Sequence, residues 1–249
     1  MYKFYKLLQV ILFLIISSKV YGFSSSSYLI ANTAISLHDY QKASIYYKNL
    51  AFEENNLSEL KKKLLIFTNV RSFEDAVSIA EEILIIDKAN QEAWIIYLIN
   101  AKLNNNNTPF VEFKQNSKKY SLDIVNYIFY NQLGNLNNSK ECAKKILDIA
   151  NASNSLENDD FNNYNYLIFY LILSLTLDND LDEASFYLAS LYNKIGNFKK
   201  SEFYYNEINI NHSLYYDSQR NISINKIFIG KEIEAEKKLL FLIKENPFN

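Results

Sequence analysis

The stretch IGNFKKSEFYYNEI, residues Ile195–Ile208, holds a glycine, an aromatic residue two positions later and apolar residues at helical spacing after it. The same pattern returns further along the chain in IGKEIEAEKKLLFLIKENPFN, where Gly196 matches Gly230 and Ser201 matches Ala235. This constant offset of about 34 residues indicates a repeat architecture, because each period is one structural unit. We therefore interpret the stretch as one period of a repeat and not as a local site.

Two further periods lie near the amino terminus. There Tyr40 corresponds to Phe73, and Leu60 corresponds to Trp94, at offsets nearly equal to the one between Gly196 and Gly230. The match weakens in the middle of the chain, where the register slips between residues 150 and 164. The period is therefore about 34 residues with one interruption.

Each period has the pattern of a helical hairpin. Apolar residues recur every three or four positions through residues 182–195, which places them on one face of a helix. Gly196 can adopt the left-handed conformation that ends this helix, and Asn197 can cap the next one. Two helices joined by such a tight turn approach closely, so Ser201 has to be small, and neighbouring hairpins must stack to bury their apolar faces. In the same stretch, we expect Phe198 and Tyr205 to pack in the interior and Lys199 and Lys200 to face solvent.

These residues resemble the tetratricopeptide repeat, a 34-residue pair of antiparallel helices with a small residue near the start of the second helix and an aromatic residue at the hinge. The small residue is supplied by Ala43, Ala76, Ser139, Ser201 and Ala235. The hinge aromatic is supplied by Tyr40, Phe73 and Phe198, and the proline that often ends the unit by Pro247 alone. The resemblance, which extends to exported bacterial members of the family, implies an all-α fold: a right-handed α-solenoid of stacked antiparallel helix hairpins.

Composition supports a helical, folded chain. The 249 residues include only four glycines and two prolines, whereas sandwiches and barrels need turn residues every 8–12 positions. At 49% hydrophobic residues the chain has enough apolar material for a packed interior. The net charge of −2 gives no general attraction to nucleic acid or anionic membranes. Cys142 is the single cysteine, so we expect a small buried hydrophobe, with no disulfide and no cysteine cluster for zinc.

The amino terminus has the layout of a secretory signal. Lys3 and Lys6 are followed by an apolar run over residues 7–16 and by small or compact residues that end at Gly22. We expect cleavage after Gly22, because the run is about half of the roughly 20 apolar residues that span a bilayer. An uncleaved membrane anchor and a buried helix are the alternatives. The mature chain would then be exported to the periplasm or secreted.

These patterns predict a division of the chain into four segments. In order they are a signal peptide at 1–22, amino-terminal tetratricopeptide-like repeats at 23–153, an irregular or degenerate repeat at 154–181, and carboxy-terminal repeats at 182–249.

No residue pattern predicts catalysis, a metal site or a cofactor. His38 and His212 lack ligand-spaced partners, and we expect both to be solvated loop residues. The acidic cluster at 177–184 lacks the glycine and glutamate of a calcium loop, so we expect its acids to favour the start of a helix. Glycine-rich phosphate loops and the common hydrolase motifs are missing as well. Trp94 fits core packing, and the lysine run at 61–63 fits a solvated surface.

The stacked hairpins of the resembling family form a concave groove lined by the first helix of each pair, which binds peptides or protein segments. Carrying the groove positions over to this sequence, and adding the helix before Gly196, gives a set of candidate binding residues. The set is Tyr28, Asn32, Lys61, Lys62, Phe186, Ser190, Asn193, Lys194 and Arg220.

The sequence thus predicts a non-catalytic interaction scaffold that is exported by its signal, with the periplasm as the expected compartment. The expected partner is a protein or peptide, with neither nucleic acid nor a stable membrane span. Self-association through an uncapped carboxy-terminal repeat is a further expectation. One alternative is a structural spacer or adaptor in a cell-envelope assembly. Another is the helical accessory part of a cell-wall-active enzyme.

Overall fold

The computed structural model describes residues 25–50, 56–154 and 161–245. It divides into two compact units, Met1–Asp87 and Lys88–Asn249, and each is described by itself below. Over the described ranges the backbone is helical apart from turns and one isolated antiparallel bridge between Tyr130 and Leu136. The predicted signal segment and Pro247 lie outside the described residues.

The described part of the Met1–Asp87 unit holds two helical hairpins. Its helices are α1 at 25–36, α2 at Tyr40–Lys48, α3 at Leu57–Asn69 and α4 at Phe73–Ile86. Ala31 and Ala34 of α1 meet Ala43 and Tyr47 of α2 in one buried cluster, and all four side chains are at most 3% exposed. Small residues at this contact let the two helix axes approach closely, as the sequence predicts for Ala43.

The Lys88–Asn249 unit contains the other described helices. They are α5 at Gln91–Leu103, α6 at Thr108–Tyr120, α7 at Asp123–Phe129, α8 at Ser139–Asn154, α9 at Phe161–Leu177, α10 at Asp182–Lys194, α11 at Phe198–Asn206, α12 at Tyr215–Phe228 and α13 at Glu232–Glu245. The helices pack as sequence neighbours, most extensively α8 on α9, α10 on α11 and α12 on α13. The all-α fold of antiparallel helix hairpins is confirmed within each unit. The right hand of the superhelix and the predicted segment boundaries stay predictions.

Helix α9 accounts for the slip in the sequence period. It packs on α8 and also on α10, so it stands between two hairpins of the repeat type. Every residue from Leu167 to Leu175 is buried, and the Ser174 hydroxyl donates a hydrogen bond to the Ala143 carbonyl at 2.8 Å. A helix that is apolar on all sides has to be covered on all sides. The extra helix therefore shifts the register of the repeats that follow.

The turn that ends α10 has the predicted form. Gly196 lies in the left-handed region at φ +76°, and the Asn197 amide donates to the Tyr192 carbonyl at 2.8 Å. The Asn197 side chain accepts a hydrogen bond from the Lys200 amide at 3.2 Å, which caps α11. The same left-handed turn recurs at four described residues other than glycine: His38, Arg71, Asn105 and, at the end of α6, Ser121. The repeat is thus preserved in the backbone where the sequence has lost its glycine.

Substitution of Gly196 by alanine should lower the free energy of unfolding by about 1 kcal/mol, because an L-residue in the left-handed region is strained. A Cβ at this position meets no atom within 4 Å, so backbone strain is the only penalty. Urea unfolding followed by circular dichroism measures the change. The matched control is Lys199→Ala on the exposed side of α11, which should stay within about 0.5 kcal/mol of the native protein. Equal stabilities of the two variants would contradict the assignment of strain.

Of the sequence predictions about side-chain exposure, the one for His38 is wrong, and those for His212 and Lys200 hold only in part. His38 is 2% exposed, and its Nδ1 lies 3.1 Å from the Tyr40 hydroxyl, so it belongs to the interior of its turn. The His212 side chain is 24% exposed, and its Nε2 lies 3.4 Å from a Glu183 carboxylate oxygen. Lys200 is half-buried because its ammonium lies 4.9 Å from the centre of the Tyr192 ring.

Other predictions about the interior are confirmed. Trp94 is fully buried, and so is Cys142, whose thiol pKa burial raises to about 11. Ser201 is fully buried, and its hydroxyl accepts a hydrogen bond from the Asn225 amide at 3.0 Å. Asp182 and Glu183 occupy the first turn of α10. Phe198 stacks on Phe228 at 5.7 Å, and Tyr205 is 1% exposed.

Candidate functional site

In the Met1–Asp87 unit, two of the predicted binding residues converge on a buried carboxylate. Glu59 is 7% exposed and lies on the first turn of α3. Its Oε1 accepts hydrogen bonds from Lys62 Nζ at 2.7 Å and from the Tyr28 hydroxyl at 3.1 Å. Its Oε2 accepts one from the Tyr47 hydroxyl at 2.6 Å. Helices α1, α2 and α3 thereby meet at one carboxylate.

The electrostatics of this cluster hold Glu59 in its charged form. Burial alone would raise the pKa of Glu59, but hydrogen bonds from Lys62, Tyr47 and Tyr28 outweigh burial and place the pKa below its ordinary value of 4.5. Burial, and after it the Glu59 carboxylate, raises the pKa of Tyr47. Lys62 is therefore neutralised within its own unit and is not an unpaired cation for a ligand.

The other two candidates of this unit also have internal partners. The Asn32 amide donates to the Tyr28 carbonyl one turn earlier at 3.0 Å, and Lys61 Nζ lies 3.5 Å from an Asp87 carboxylate oxygen. Both contacts are at the surface, where an ion pair adds little stability. Of the predicted lysine run, Lys61 is thus exposed as expected, whereas Lys62 belongs to the Glu59 cluster.

In the Lys88–Asn249 unit, the candidates from α10 gather around the Tyr205 hydroxyl. Ser190 Oγ lies 3.0 Å from this hydroxyl and donates its own hydrogen to the Phe186 carbonyl at 2.9 Å. The Phe186 ring meets the Tyr205 ring edge-on at 5.4 Å. The side chains of Asn193 and Asn221 also hydrogen-bond to the hydroxyl, the latter at 3.2 Å. The structure therefore brings Phe186, Ser190 and Asn193 together, joined by Tyr205 between α10, α11 and α12.

Lys194 and Arg220 lie apart from that cluster. The Arg220 guanidinium pairs with Asp217 one turn earlier on α12 at 2.7 Å. Lys194 is exposed and lines a cavity of about 50 Å³ together with Ser190 and Tyr187. A space of that size holds a few water-sized groups and no ligand. The role of all nine candidates in binding stays a prediction.

The sequence did not identify the two residues that organise these clusters. Glu59 follows a capping asparagine and precedes three lysines, so in the sequence it looks like an ordinary acid of a first helical turn. The sequence predicts packing alone for Tyr205, whose hydroxyl partners come from two other helices. A repeat period predicts which face a residue occupies and gives no signal for such cross-helix contacts.

The last hairpin of the described chain, α12 and α13, exposes an unusual number of large apolar side chains. On α13, Ala235 is the one buried residue within the described range. We call the exposed set the terminal apolar residues. They are between 36% and 71% exposed and comprise Ile224, Ile227, Phe228, Ile229, Ile233, Leu240, Phe241 and Ile243. Clusters of this kind mark surfaces that contact another molecule.

Two kinds of feature are not found among the described residues, a metal-binding cluster and a membrane-length helix. Within 25–50, 56–154 and 161–245, no three metal-ligating side chains come together. No helix in the same ranges has both the length and the apolar character needed to cross a membrane. The packed hairpins define the class of the protein by its fold: an all-α protein of antiparallel helix hairpins.

Comparison with known proteins adds little to this class. No protein-family model matches the chain, and no curated protein matches it. A crystal structure of MamA protein shares 13% identity over 90% of this chain and 92% of its own, with a TM-score of 0.33. A second crystal structure of MamA shares 14% identity over 88% of this chain and 95% of its own, with a TM-score of 0.29. These scores are too low to carry further argument, so the fold rests on the helix contacts described above.

Proposed function

We propose that this chain is a non-catalytic scaffold that binds another protein through its last hairpin. The observation that carries the proposal is the set of terminal apolar residues. Ile224, Ile227 and Phe228 share one face of α12 by their spacing, and Ile233 and Leu240 share one face of α13. Covering a side chain of this size contributes about 1.5–3 kcal/mol. A protein surface that packs on this hairpin would therefore be held by several such contributions.

The predicted groove is the weaker candidate for the main contact. The hydroxyl of Ser190 and the ammonium of Lys62 already have partners inside their own units. A ligand would have to displace these contacts, and an unpaired buried group such as Glu59 is unfavourable. A partner that covers the terminal apolar residues would break no internal hydrogen bond, because the exposed sides of these residues face solvent.

We also propose that the chain is exported. The charged, apolar and compact segments that end at Gly22 support a cleaved secretory signal. The partner would then be a peptide or protein segment in the cell envelope or outside the cell. A second copy of the chain is one such partner.

Crosslinking at Leu240 tests the scaffold function. A photoreactive amino acid replaces Leu240, which is 60% exposed, in the tagged full-length chain inside cells. We expect a discrete crosslinked protein at this position, and we expect Phe241→Glu in the same chain to abolish it, because a charge opposes desolvation of the face. Intact mass of the envelope fraction reports in the same sample whether residues 1–22 have been removed.

The matched control carries the photoreactive residue at Lys199, which is exposed on α11 outside the terminal apolar residues. A crosslink from Leu240 to a second copy of the chain would support the proposal and make self-association the contact. Crosslinking at Leu240 that does not exceed that at Lys199, or that survives Phe241→Glu, would overturn the proposal.

A further inference from the structure

A second surface of the Lys88–Asn249 unit has the features of a binding site, and none of the predicted candidates lies in it. Helices α6, α7 and α8 border a cavity of about 780 Å³. This volume is within the range of about 300–1,000 Å³ that ligand sites occupy. Lys114 and Lys118 lie on one face of α6, Asn126 and Tyr130 face the cavity from α7 and its end, and Lys145 enters from α8.

The cavity exists because α7 is short. Helices α3, α5 and α10, which begin other hairpins, each have 13 residues, whereas α7 has seven. The missing six residues correspond to about 9 Å of helix. The chain turns away after Phe129 instead, and Tyr130 forms its backbone bridge to Leu136. The space beyond the end of α7 is thereby left open to α6 and α8.

The charge of the lining is positive. Three lysines, Lys114, Lys118 and Lys145, face the cavity together with one carboxylate, Asp123. Among the described residues no carboxylate comes within ion-pair distance of any of these three lysines. The chain as a whole carries −2, so this local excess is not a property of the average surface. Ammonium groups that share a concave site raise its attraction for anions.

One of the lysines is held rigidly in place. Lys145 Nζ donates hydrogen bonds to the Tyr127 carbonyl at 2.7 Å and to the Tyr130 carbonyl at 3.1 Å, at the end of α7. It also lies 4.8 Å from the centre of the Tyr127 ring. These contacts fix the ammonium group and offset its charge only in part, because carbonyls at the end of a helix carry partial negative charge. An ordered charge loses less side-chain entropy on binding than a free one.

One hydroxyl of a lining residue has no partner in the described part of the chain, and the same residue supplies an aromatic ring to the wall of the cavity. The Tyr130 hydroxyl is enclosed by protein and has no hydrogen-bond partner among the described residues. Its ring stacks on Phe113 at 6.1 Å and carries Lys114 Nζ 5.1 Å from its centre. An enclosed donor without a partner is unfavourable and is a feature to be explained.

We propose that this cavity binds an acidic segment of a protein partner, an inference that rests on the scaffold function proposed above. Lys114 and Lys118, one turn apart, pair with carboxylates of the segment. The amide side chains of Asn126 and Gln132 supply donors and acceptors for its main chain.

Fluorescence anisotropy with defined peptides tests the site on the purified full chain. The probe is a fluorescein-labelled, end-blocked octapeptide of alternating alanine and glutamate, and its glutamine counterpart is the neutral control. We expect the acidic probe to bind more tightly, and we expect the combination Lys114→Glu with Lys118→Glu to weaken its binding about tenfold.

The matched control, Lys199→Glu with Lys244→Glu, makes the same change in net charge at two exposed lysines outside the cavity and should leave binding unchanged. Equal binding of the two probes, or equal weakening by the two double variants, would overturn the proposal. So would displacement of the probe by inorganic phosphate at constant ionic strength, since any small anion would then suffice. The scaffold function has its own readout at Leu240, so either proposal can fail alone.

Discussion

Replacement of Trp94 by alanine is expected to lower the free energy of unfolding of the Lys88–Asn249 unit by about 3–5 kcal/mol. Trp94 is fully buried and meets the Phe113 ring edge-on at 5.4 Å. Its indole nitrogen donates a hydrogen bond to the Lys88 carbonyl at 2.9 Å. Alanine leaves a large cavity next to Phe113 and an acceptor without its donor. Urea unfolding followed by circular dichroism measures the change, since Trp94 is the sole tryptophan and its fluorescence is lost with it.

Trp94→Phe is the matched control for this prediction. Phenylalanine keeps an aromatic ring against Phe113 and removes the bond to the Lys88 carbonyl, so we expect a loss of about 1–2 kcal/mol. A loss for Trp94→Ala no larger than that for Trp94→Phe would show that the cavity contributes nothing. Trp94 would then not be the packing centre of α5.

Features that depend on neighbouring residues could be predicted from the sequence. The repeat pattern predicts Ala43, Ala76 and Ser201 as small residues at close helix contacts, and all three are 0% exposed. The reason is local, because the size of one side chain limits how closely two helices joined by a short turn can approach. The turn at Gly196 could also be predicted locally, because glycine adopts the left-handed conformation more readily than other residues.

The availability of a side chain for binding could not be predicted in this way. Lys62 and Ser190 occupy positions that the repeat assigns to a groove, yet both make hydrogen bonds inside their units. Each also has a partner far along the chain: the Tyr28 hydroxyl, 34 residues from Lys62, at 3.4 Å, and the Tyr205 hydroxyl, 15 residues from Ser190, at 3.0 Å. A repeat pattern describes what successive units have in common, whereas these contacts differ from one unit to the next.

Departures from the repeat period could not be predicted from the sequence either. The short helix α7 offers too few turns for an apolar period to be recognised, and the cavity beside it follows from that shortness. Helix α9 is buried on every side from Leu167 to Leu175, so this part carries no apolar face for a period to mark. The sequence does show that the 34-residue pattern is interrupted. Spacing alone, however, does not distinguish an inserted helix from a repeat whose residues have diverged.

The Glu59 cluster gives the second large expected effect. Tyr47→Phe removes the 2.6 Å hydrogen bond to Glu59 Oε2 and no other polar group. A hydrogen bond to a charged group contributes about 1.5–3 kcal/mol, and we expect the Met1–Asp87 unit to lose that amount at neutral pH. Hydrogen exchange followed by mass spectrometry measures the loss in peptides from α2 and α3, separately from the other unit. The matched control is Tyr46→Phe on the neighbouring position of α2, which should change exchange little, since Tyr46 is only partly buried against the core.

The pH dependence of this loss separates the charge of Glu59 from simple packing. Because folding lowers the pKa of Glu59, its ionised form stabilises the folded unit fully above the ordinary value of 4.5, and that stabilisation disappears as the pH falls through the lower pKa of the folded state. The difference between the native protein and Glu59→Gln should therefore be largest near neutral pH and should shrink below pH 4.5. The effect of Tyr47→Phe should shrink in parallel, because the hydroxyl then donates to a neutral acid. A loss for Tyr47→Phe that stays constant from neutral pH into acid would mean that the hydroxyl acts through packing and that Lys62 alone holds the carboxylate.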